Sequence, residues 1–424
     1  MSFSIERLRG MQDVLPPLGD LWSFVEKVMR ETASFYGFSY VRTPVLEFTE
    51  LFERSAGDSS DVVQKEMYTF NDKSDRSVTM RPEFTAGVLR AVATELSNFP
   101  APIKLMYFGP CYRYEKPQAG RLREFFQFGL EIFGSDSYLA DVELISVTDK
   151  ILKILKIKNF HLEINAVGCS KCRKDYFEKI RSFFKSNADS LCSTCRGRLE
   201  RNPLRIFDCK NSKCQDLFDD APKTIDFICN DCCDYFEKLK RSLDSIGISY
   251  VVNPMVVRGL DYYTKFVFEF VSDDDNLTIC GGGRYDDLSS SLGGKNLPAT
   301  GLAIGVERLI KLLDYDYSEK SLSENNIIIY LACADEIHSN VVLDLVSKLR
   351  ELDIKTEYDI VGRSLKSQMR YADKINCKFS AVVGSNEVAS NRLVVKNMSD
   401  SKEYEFKLDT FTTDFLNYLK TIKF

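Results

Sequence analysis

The sequence predicts an α+β protein: an antiparallel sheet flanked by helices, interrupted by a cysteine-rich insertion and followed by a small α/β domain. Three observations carry this. Two apolar stretches, Ile103 to Tyr112 and Phe125 to Phe133, flank a long charged segment, the pattern of an antiparallel hairpin. Nine of the thirteen cysteines fall between Cys169 and Cys233. Beyond residue 326, strand-like runs alternate with helical ones, as a largely parallel sheet requires. A chain of 424 residues suggests two or three domains. We place them at 1–326, with the insertion at 168–234, and at 327–424.

The elements follow in order. Leu21, Phe24, Val25, Val28 and Phe35 recur near helical spacing, and Gly37 follows as a stop. Tyr40 to Arg42 reads as a short strand closed by Thr43-Pro44, and Leu46 to Arg54 as a helix. Met67 to Phe70 and Ser77 to Met80 read as strands. A helix after Arg81-Pro82-Glu83 buries Val88, Leu89, Val92 and Leu96. After the hairpin come a helix over Tyr138 to Leu155 and a strand over Phe160 to Ile164. A helix over Tyr235 to Leu243 and a strand over Tyr250 to Val252 follow the insertion. FVFEF, closing the stretch Val257 to Phe270, alternates at period two, a strand signature. Asn276 to Cys280 is read as a strand ending in three glycines, and Ala303 to Leu313 as a helix. Ser318 to Asn326 is polar and reads as a linker. Strands IIIYLA, IKTEYDI and FSAVVG then alternate with helices over Val341 to Leu352 and Leu365 to Ile375.

Composition narrows the function. Hydrophobic residues make up 44% and charged residues 28%, ordinary for a globular protein. No apolar run approaches the ~20 residues that span a bilayer, and the first residues hold no signal-type apolar core, so we expect a cytoplasmic protein with no membrane partner. A net charge of −5 argues against a surface that grips nucleic acid everywhere, while leaving room for local basic patches. The two histidines, His161 in a strand-like segment and His338 near a helix start, are read as structural or exposed, which disfavours a Ser-His-Asp or Cys-His mechanism.

Candidate chemistry gathers on separate elements. The hairpin loop carries Arg113, Lys116, Arg121 and Arg123, and guanidinium forks suit phosphate oxygens; the alternative is a solvated tip. Gln127, Gly129 and Glu131 alternate on the returning strand and so share one face, with the glycine leaving room for a ligand. Arg258, Tyr262 and Tyr263 cluster at the mouth of the TKFVFEF strand. Arg308 closes GLAIGVER on an otherwise apolar helix, either contacting an anion or snorkelling. Three arginines on three elements, with Glu83, Gln127 and Glu131 able to hold a small cation, fit nucleotide chemistry driven by positioning and charge neutralisation.

These residues fall in motifs. Val41-Arg42-Thr43-Pro44 with ELFERSAGDSSDVVQKEMYTF, the Arg113-Tyr114-Glu115 loop with REFFQFGLE, and GLAIGVER resemble the three motifs of class II aminoacyl-tRNA synthetases. RGLDYYTKFVFEF and GGGRYD, with RGMQDVLP and GRSLKSQMRYADK, are similar to stretches of the histidyl-tRNA synthetase family, and the resemblance spans nearly the whole chain. It implies a class II catalytic sheet and a C-terminal anticodon-binding domain. It also implies activation of L-histidine with ATP and Mg²⁺ to histidyl-adenylate and pyrophosphate, then transfer to the 3′ end of tRNA(His). Carried over to this chain, Glu83, Thr85 and Gln127 hold the histidine ammonium region. Glu131 and Tyr263 read the imidazole nitrogens, and Tyr262 lines the pocket. Arg113 and Arg258 act on the α-phosphate as catalytic groups and complete the histidine site. Arg308 binds the γ-phosphate and Arg121 a further phosphate. Lys116, Gln118 and Arg123 meet the acceptor end of tRNA, and Arg363, Lys366 and Gln368 the anticodon. The first motif implies a homodimer. Phe126 departs from the family pattern, standing where many relatives carry His.

The cysteines pair as Cys169/Cys172, Cys192/Cys195, Cys209/Cys214 and Cys229/Cys232. Such pairs suit one or two four-thiolate structural zinc sites; reduced thiols are the alternative, and disulfides rank behind both in a cytosolic chain. Two other functions stay open on the sequence alone. One is a synthetase-like regulatory subunit of ATP phosphoribosyltransferase, which shares the catalytic fold but loses parts of the histidine motifs. The other is a non-catalytic zinc-dependent RNA-binding protein, which needs the insertion but not the three arginines together.

Overall fold

Period-two alternation sorts side chains onto two faces of one large sheet, and each face has a different job. In the computed structural model, residues 5–57, 60, 62–116, 120–259, 262–313 and 327–422 are described, and the chain divides into units Met1–Asp314 and Tyr315–Phe424. The predicted linker, Gln118 and Asp261 lie outside the described residues.

The first unit contains β1 (Ser39–Tyr40), β2 (Leu46–Phe48), β3 (Tyr68–Asn71), β4 (Ser77–Met80), β5 (Ile103–Tyr112), β6 (Glu124–Phe133), β7 (Phe160–Gly168), β8 (Val251–Val252), β9 (Thr264–Ser272), β10 (Thr278–Arg284) and β11 (Ala299–Gly305). Eight of these form one sheet in the order β1-β5-β6-β11-β10-β9-β7-β8, antiparallel except at its two edges. β2-β4-β3 form a small antiparallel sheet. The predicted antiparallel layer with flanking helices is therefore the architecture found.

One face of the large sheet is apolar. Leu130 on β6, Leu302 on β11, Phe268 on β9 and Ile164 on β7 lie in one cross-strand row with Gly282 of β10. They share a core with Val25 and Met29 of helix Leu18–Phe35, Ile145 and Leu152 of helix Tyr138–Ile154, and Phe236 and Leu239 of helix Asn230–Ser245. These pairs are spaced by one or two helical turns, so each lies on one stripe. A side chain of this kind contributes roughly 1.5–3 kcal/mol when fully buried, so this face anchors the sheet. The opposite face carries Gln127, Gly129 and Glu131 of β6, as the alternation predicted.

Arg284 breaks the apolar pattern on the helix side. Its guanidinium is fully buried, donates to the Ser135 and Ser137 carbonyls at 2.7 and 2.9 Å, and pairs with Asp141 at 3.2 Å and Asp286 at 3.0 Å. Tyr235 of the returning helix donates to the same Asp141 carboxylate. This network ties β10, helix Tyr138–Ile154 and the exit of the insertion together.

Several local expectations are corrected. Leu46–Phe48 is a strand, and the helix starts at Thr49, because Leu46 pairs with Met80 across β4. The three glycines 281–283 lie within β10 and do not end it. The first five residues of GLAIGVER belong to β11, and the helix is only Val306–Lys311, so Arg308 sits in its first turn. Pairing on both sides, with β6 and β10, overrides the helical reading of that apolar run.

The second unit holds β12 (Ile329–Cys333), β13 (Thr356–Tyr358), β14 (Phe379–Val383), β15 (Arg392–Asn397) and β16 (Glu403–Lys407), in the order β13-β12-β14-β15-β16. β12 pairs in parallel with both neighbours, but β14-β15 and β15-β16 are antiparallel, so the sheet is mixed and not mostly parallel. Leu331, Ala381 and Val395 meet Val346, Leu349 and Phe415 in its core.

Arg284→Met leaves the buried Asp141 carboxylate without its cation. The expected cost is about 3–5 kcal/mol, read by denaturant unfolding; a loss below about 1 kcal/mol would show that the network is not structural.

Candidate active site

The polar face of the sheet is floored with glycine. Gly129 faces Tyr107 and Ala303, Ala303 faces Gly281, and Glu131 faces Gly301, which faces Gly283. A Cβ at Gly301 would overlap the Glu131 carboxylate, at Gly129 the Tyr107 ring, and at Gly281 the Arg258 guanidinium. Each glycine thus makes room for a functional side chain from a neighbouring element.

Glu131 is fully buried. Thr85 Oγ1 donates to its Oε1 at 2.8 Å, Tyr107 to the same oxygen at 3.3 Å, and Tyr285 to Oε2. Burial pushes its carboxyl up to about 8, despite these three hydroxyl donors. The Tyr285 ring lies 5.4 Å from Tyr262 and 6.4 Å from Tyr263, which encloses the carboxyl in phenols. Glu83 is also buried, and burial raises its pKa. Its two oxygens accept from the Thr85 and Ala86 amides at 2.7 and 2.9 Å, so it caps helix Thr85–Glu95. Gln127, on the same strand face as Gly129, accepts from the Cys111 thiol at 3.3 Å. Glu83, Thr85, Glu131, Tyr262 and Tyr263 therefore converge from three elements.

Along the same face lies a cleft of about 690 Å³ bordered by Arg113, Arg121, Arg258 and Arg308. Arg258 is held by Glu269 of β9, which also accepts from Thr278 at 2.6 Å. Arg113 donates to the Pro82 carbonyl at 3.0 Å. Arg308 donates to the carbonyls of Gly120 at 3.2 Å and Thr278 at 2.9 Å. Burial, then the charges of Arg121, Arg258 and Arg113, hold the Arg308 guanidinium below its usual range. Four guanidinium groups bordering one open space form a basic cleft that suits a polyanion.

Other predicted residues are placed differently. Lys116 and Arg121 are exposed on the hairpin loop, and Arg121 pairs with Glu115 at 3.0 Å. Arg123 is folded back: its guanidinium lies 3.9 Å over the Tyr114 ring and donates to the Glu115 carbonyl at 3.2 Å. Phe126 packs edge-on against Trp22, ring centroids 5.0 Å apart, on the helix side of the sheet. In the second unit, Lys366 is exposed and Arg363 pairs with Asp359 at 2.8 Å. Gln368 is a correction: it is buried, and its amide bridges both backbone groups of Cys333 and the Arg363 carbonyl, so it braces a turn and presents no surface to a ligand.

Sequence reasoning missed Tyr107, Tyr285 and Glu269. Tyr285 lies inside GGGRYD, and Glu269 is the one charge within FVFEF; Tyr107 carries no signal, since its role exists only opposite Gly129.

The insertion is helical, with its own core of Tyr176, Ile180, Phe184, Leu199 and Ile206. Its eight paired cysteines are free thiols in two groups, Cys169, Cys172, Cys229 and Cys232 in one, Cys192, Cys195, Cys209 and Cys214 in the other. Within each group the sulfurs lie within 4.8 Å of one another.

An antiparallel sheet thus carries a buried acid pocket and an arginine-lined cleft on one glycine-floored face. Comparison with known proteins makes this particular. The sequence model of the family described as Histidyl-tRNA synthetase matches residues 10–172 and 218–309, and that of the Anticodon binding domain matches 324–418. The chain is 44% identical over 415 residues to a histidine–tRNA ligase of Clostridium novyi, covering 96% of this chain and 97% of the relative. It is 46% identical over 404 residues to one of Caldanaerobacter subterraneus subsp. tengcongensis, covering 95% and 97%. The apo structure of Staphylococcus aureus histidyl-tRNA synthetase is 35% identical, with a TM-score of 0.82 over 97% of this chain and 100% of that one. The chain belongs to the histidyl-tRNA synthetase family. A Bacillus halodurans structure described as an ATP phosphoribosyltransferase regulatory subunit/histidyl-tRNA synthetase, 21% identical with a TM-score of 0.67 over 91% of this chain and 100% of that one, shares the fold.

The raised Glu131 pKa makes the carboxylate a burden on the ligand-free fold. Its favourable share is fully present below the ordinary carboxylate range, near pH 4.5, and is lost as pH rises through about 8. Glu131→Gln removes that titration. Thermal unfolding of the variant against wild type, without ligand, should therefore show the variant gaining relative stability between roughly pH 5 and 8.5, because wild type alone must bind a proton to stay folded there. A pH-independent difference would refute the assignment.

Proposed function

We propose that this chain is a histidine–tRNA ligase whose reaction occurs on the glycine-floored face of the large sheet. The observation that carries this reading is Glu131, a buried carboxyl ringed by hydroxyls and lying on the same sheet face as an arginine-lined cleft. An imidazole has one N–H donor and one acceptor nitrogen. Glu131 takes the N–H, and a phenol of Tyr263 donates to the other nitrogen, with Tyr262 packed beside them. A site with such paired groups rejects analogues that would leave its own atoms unpaired. Thr85, Gln127 and Glu83 hold the ammonium end.

In the first step a carboxylate oxygen of histidine bonds to the α-phosphorus of ATP, and the bond to the departing pyrophosphate breaks. Arg113 and Arg258 act as the catalytic groups, approaching the α-phosphate from opposite sides and compensating charge as it develops. Arg308 and Arg121 hold the outer phosphates. Mg²⁺ would accompany the triphosphate, and Glu115, Glu163 and Glu269, which border the cleft, are the oxygen donors that would hold it. It would supply neutralisation of phosphate charge. In the second step a terminal ribose hydroxyl of tRNA(His) bonds to the histidyl carbonyl carbon and AMP leaves. Lys116, exposed on the hairpin loop, meets the acceptor end. Arg363 and Lys366 are the contacts we assign to the anticodon domain, which we place at 327–424, after a catalytic domain at 1–326. Structural zinc in the thiol groups completes the complement of ions.

A homodimer is part of the proposal. Leu46, Phe48 and Phe70 are exposed on the small sheet, where Phe48 and Phe70 both face Val78 in one row. Clustered exposed apolar side chains of this kind suit a second copy. Among the described residues no helix is long and apolar enough to cross a membrane.

Histidine-dependent exchange of pyrophosphate into ATP tests the reading, and its absence with folded protein would refute it. Arg258→Ala should lower that exchange by at least about 10²-fold and leave tRNA binding within a small factor. Equal loss of both would refute the role given to Arg258.

A further inference from the structure

We infer that the eight paired cysteines hold two separate zinc ions with different tasks: an outer ion that closes the root of the insertion, and an inner ion that builds one wall of the catalytic cleft. The partition is not the sequence order of the pairs. The first and fourth pairs meet, and so do the second and third.

The geometry fits tetrahedral thiolate sites. A zinc–sulfur bond of about 2.3 Å makes the sulfur–sulfur edge of a tetrahedron about 3.8 Å. The sulfurs of Cys169 and Cys172 are 3.6 Å apart, those of Cys172 and Cys232 3.9 Å, and those of Cys192 and Cys209 3.8 Å. Backbone amides already point at the sulfurs: Cys229 to Cys172 at 3.1 Å, Cys192 to Cys214 at 3.2 Å, and Asn211 to Cys209 at 3.4 Å. Such donors orient and tune thiolate ligands. Each group supplies four ligands, the closed set of a structural site.

The two sites sit at different places. Cys169 and Cys172 follow directly on β7, and Cys229 and Cys232 open helix Asn230–Ser245, which packs on the main core. The outer ion thus ties the entry of the insertion to its exit and closes a long loop, where a cross-link most restricts the unfolded chain. The inner four fall at 192–214, between the two stretches matched by the family model. They join helix Ser193–Arg201 to the turn Pro203–Asp208. This part of the insertion presents Arg198, Arg205 and Lys210 to the cleft that Arg113, Arg121, Arg258 and Arg308 border from the sheet, and Cys192 and Cys209 line it themselves. Holding this wall is the inner ion's task, and the ligand it faces is a polyphosphate. That last point rests on the proposed function; the zinc count does not.

Full-length protein purified without chelator should contain two zinc per chain by elemental analysis. Cys192→Ser/Cys195→Ser and Cys229→Ser/Cys232→Ser should each retain one. Maleimide should label exposed Cys233 first, and the other eight only after zinc is stripped. The inner variant should raise KM for ATP in pyrophosphate exchange about tenfold, with a smaller change in kcat, as loss of roughly one charge-assisted contact requires. Should a variant fail to fold, zinc release from wild type still gives the count of two, and Lys210→Ala tests the wall by the same rise in KM for ATP. No zinc, or rapid labelling of all eight thiols, overturns the two sites. A single zinc lost in both variants overturns the partition. Two zinc with an unchanged KM for ATP overturns the wall.

Discussion

One buried carboxylate constrains the centre of the catalytic unit. Glu131 projects from β6 into a space that exists only because Gly301 opposite has no side chain, and three hydroxyls from three elements satisfy it. A buried carboxyl without such donors would cost several kcal/mol. The pocket therefore requires the register of β6 with β5 and β11. A slip of one residue would carry Glu131 to the helix side and bring Leu130 to the ligand side. The apolar face, locked on three helices, prevents that slip, so the packing of one side specifies the chemistry of the other.

Charge is partitioned along the same logic. Arg284 and Asp141 are fully buried and neutralise each other beneath the sheet, where they join strand, helix and insertion exit. Across the sheet, Arg113, Arg121, Arg258 and Arg308 crowd a cleft, and burial and mutual repulsion depress Arg308. The first arrangement is a completed interaction; the second leaves four guanidinium groups around an open space. The insertion joins this scheme through its inner thiols, because its basic residues border the cleft from the other side.

Much of the fold was legible in the chain. Ile103 to Tyr112 and Phe125 to Phe133 are apolar over enough length to declare a hairpin, and 127, 129 and 131 had to share a face. Short or glycine-rich pieces were harder. Leu46–Phe48 and Ala299–Gly305 pair with strands elsewhere in the chain, and that pairing outweighs the local helical pattern. In the second unit, β15 and β16 are short and mixed in polarity, and they make half of its sheet antiparallel.

By itself, the sequence determined the layer architecture, the period-two face that holds Gln127 and Glu131, the basic character of the hairpin loop, and the family whose motifs it resembles. These depend on neighbours along the chain. Only the tertiary structure decided that Tyr285 and Tyr107 satisfy Glu131, that Gln368 is spent on the backbone, and that the outer cysteine pairs meet each other and the inner pairs each other. Tyr285 and Glu131 are 154 residues apart, and Cys172 and Cys232 are 60 apart. Contacts at such separation are set by strand register and by where loops close, which no local pattern encodes.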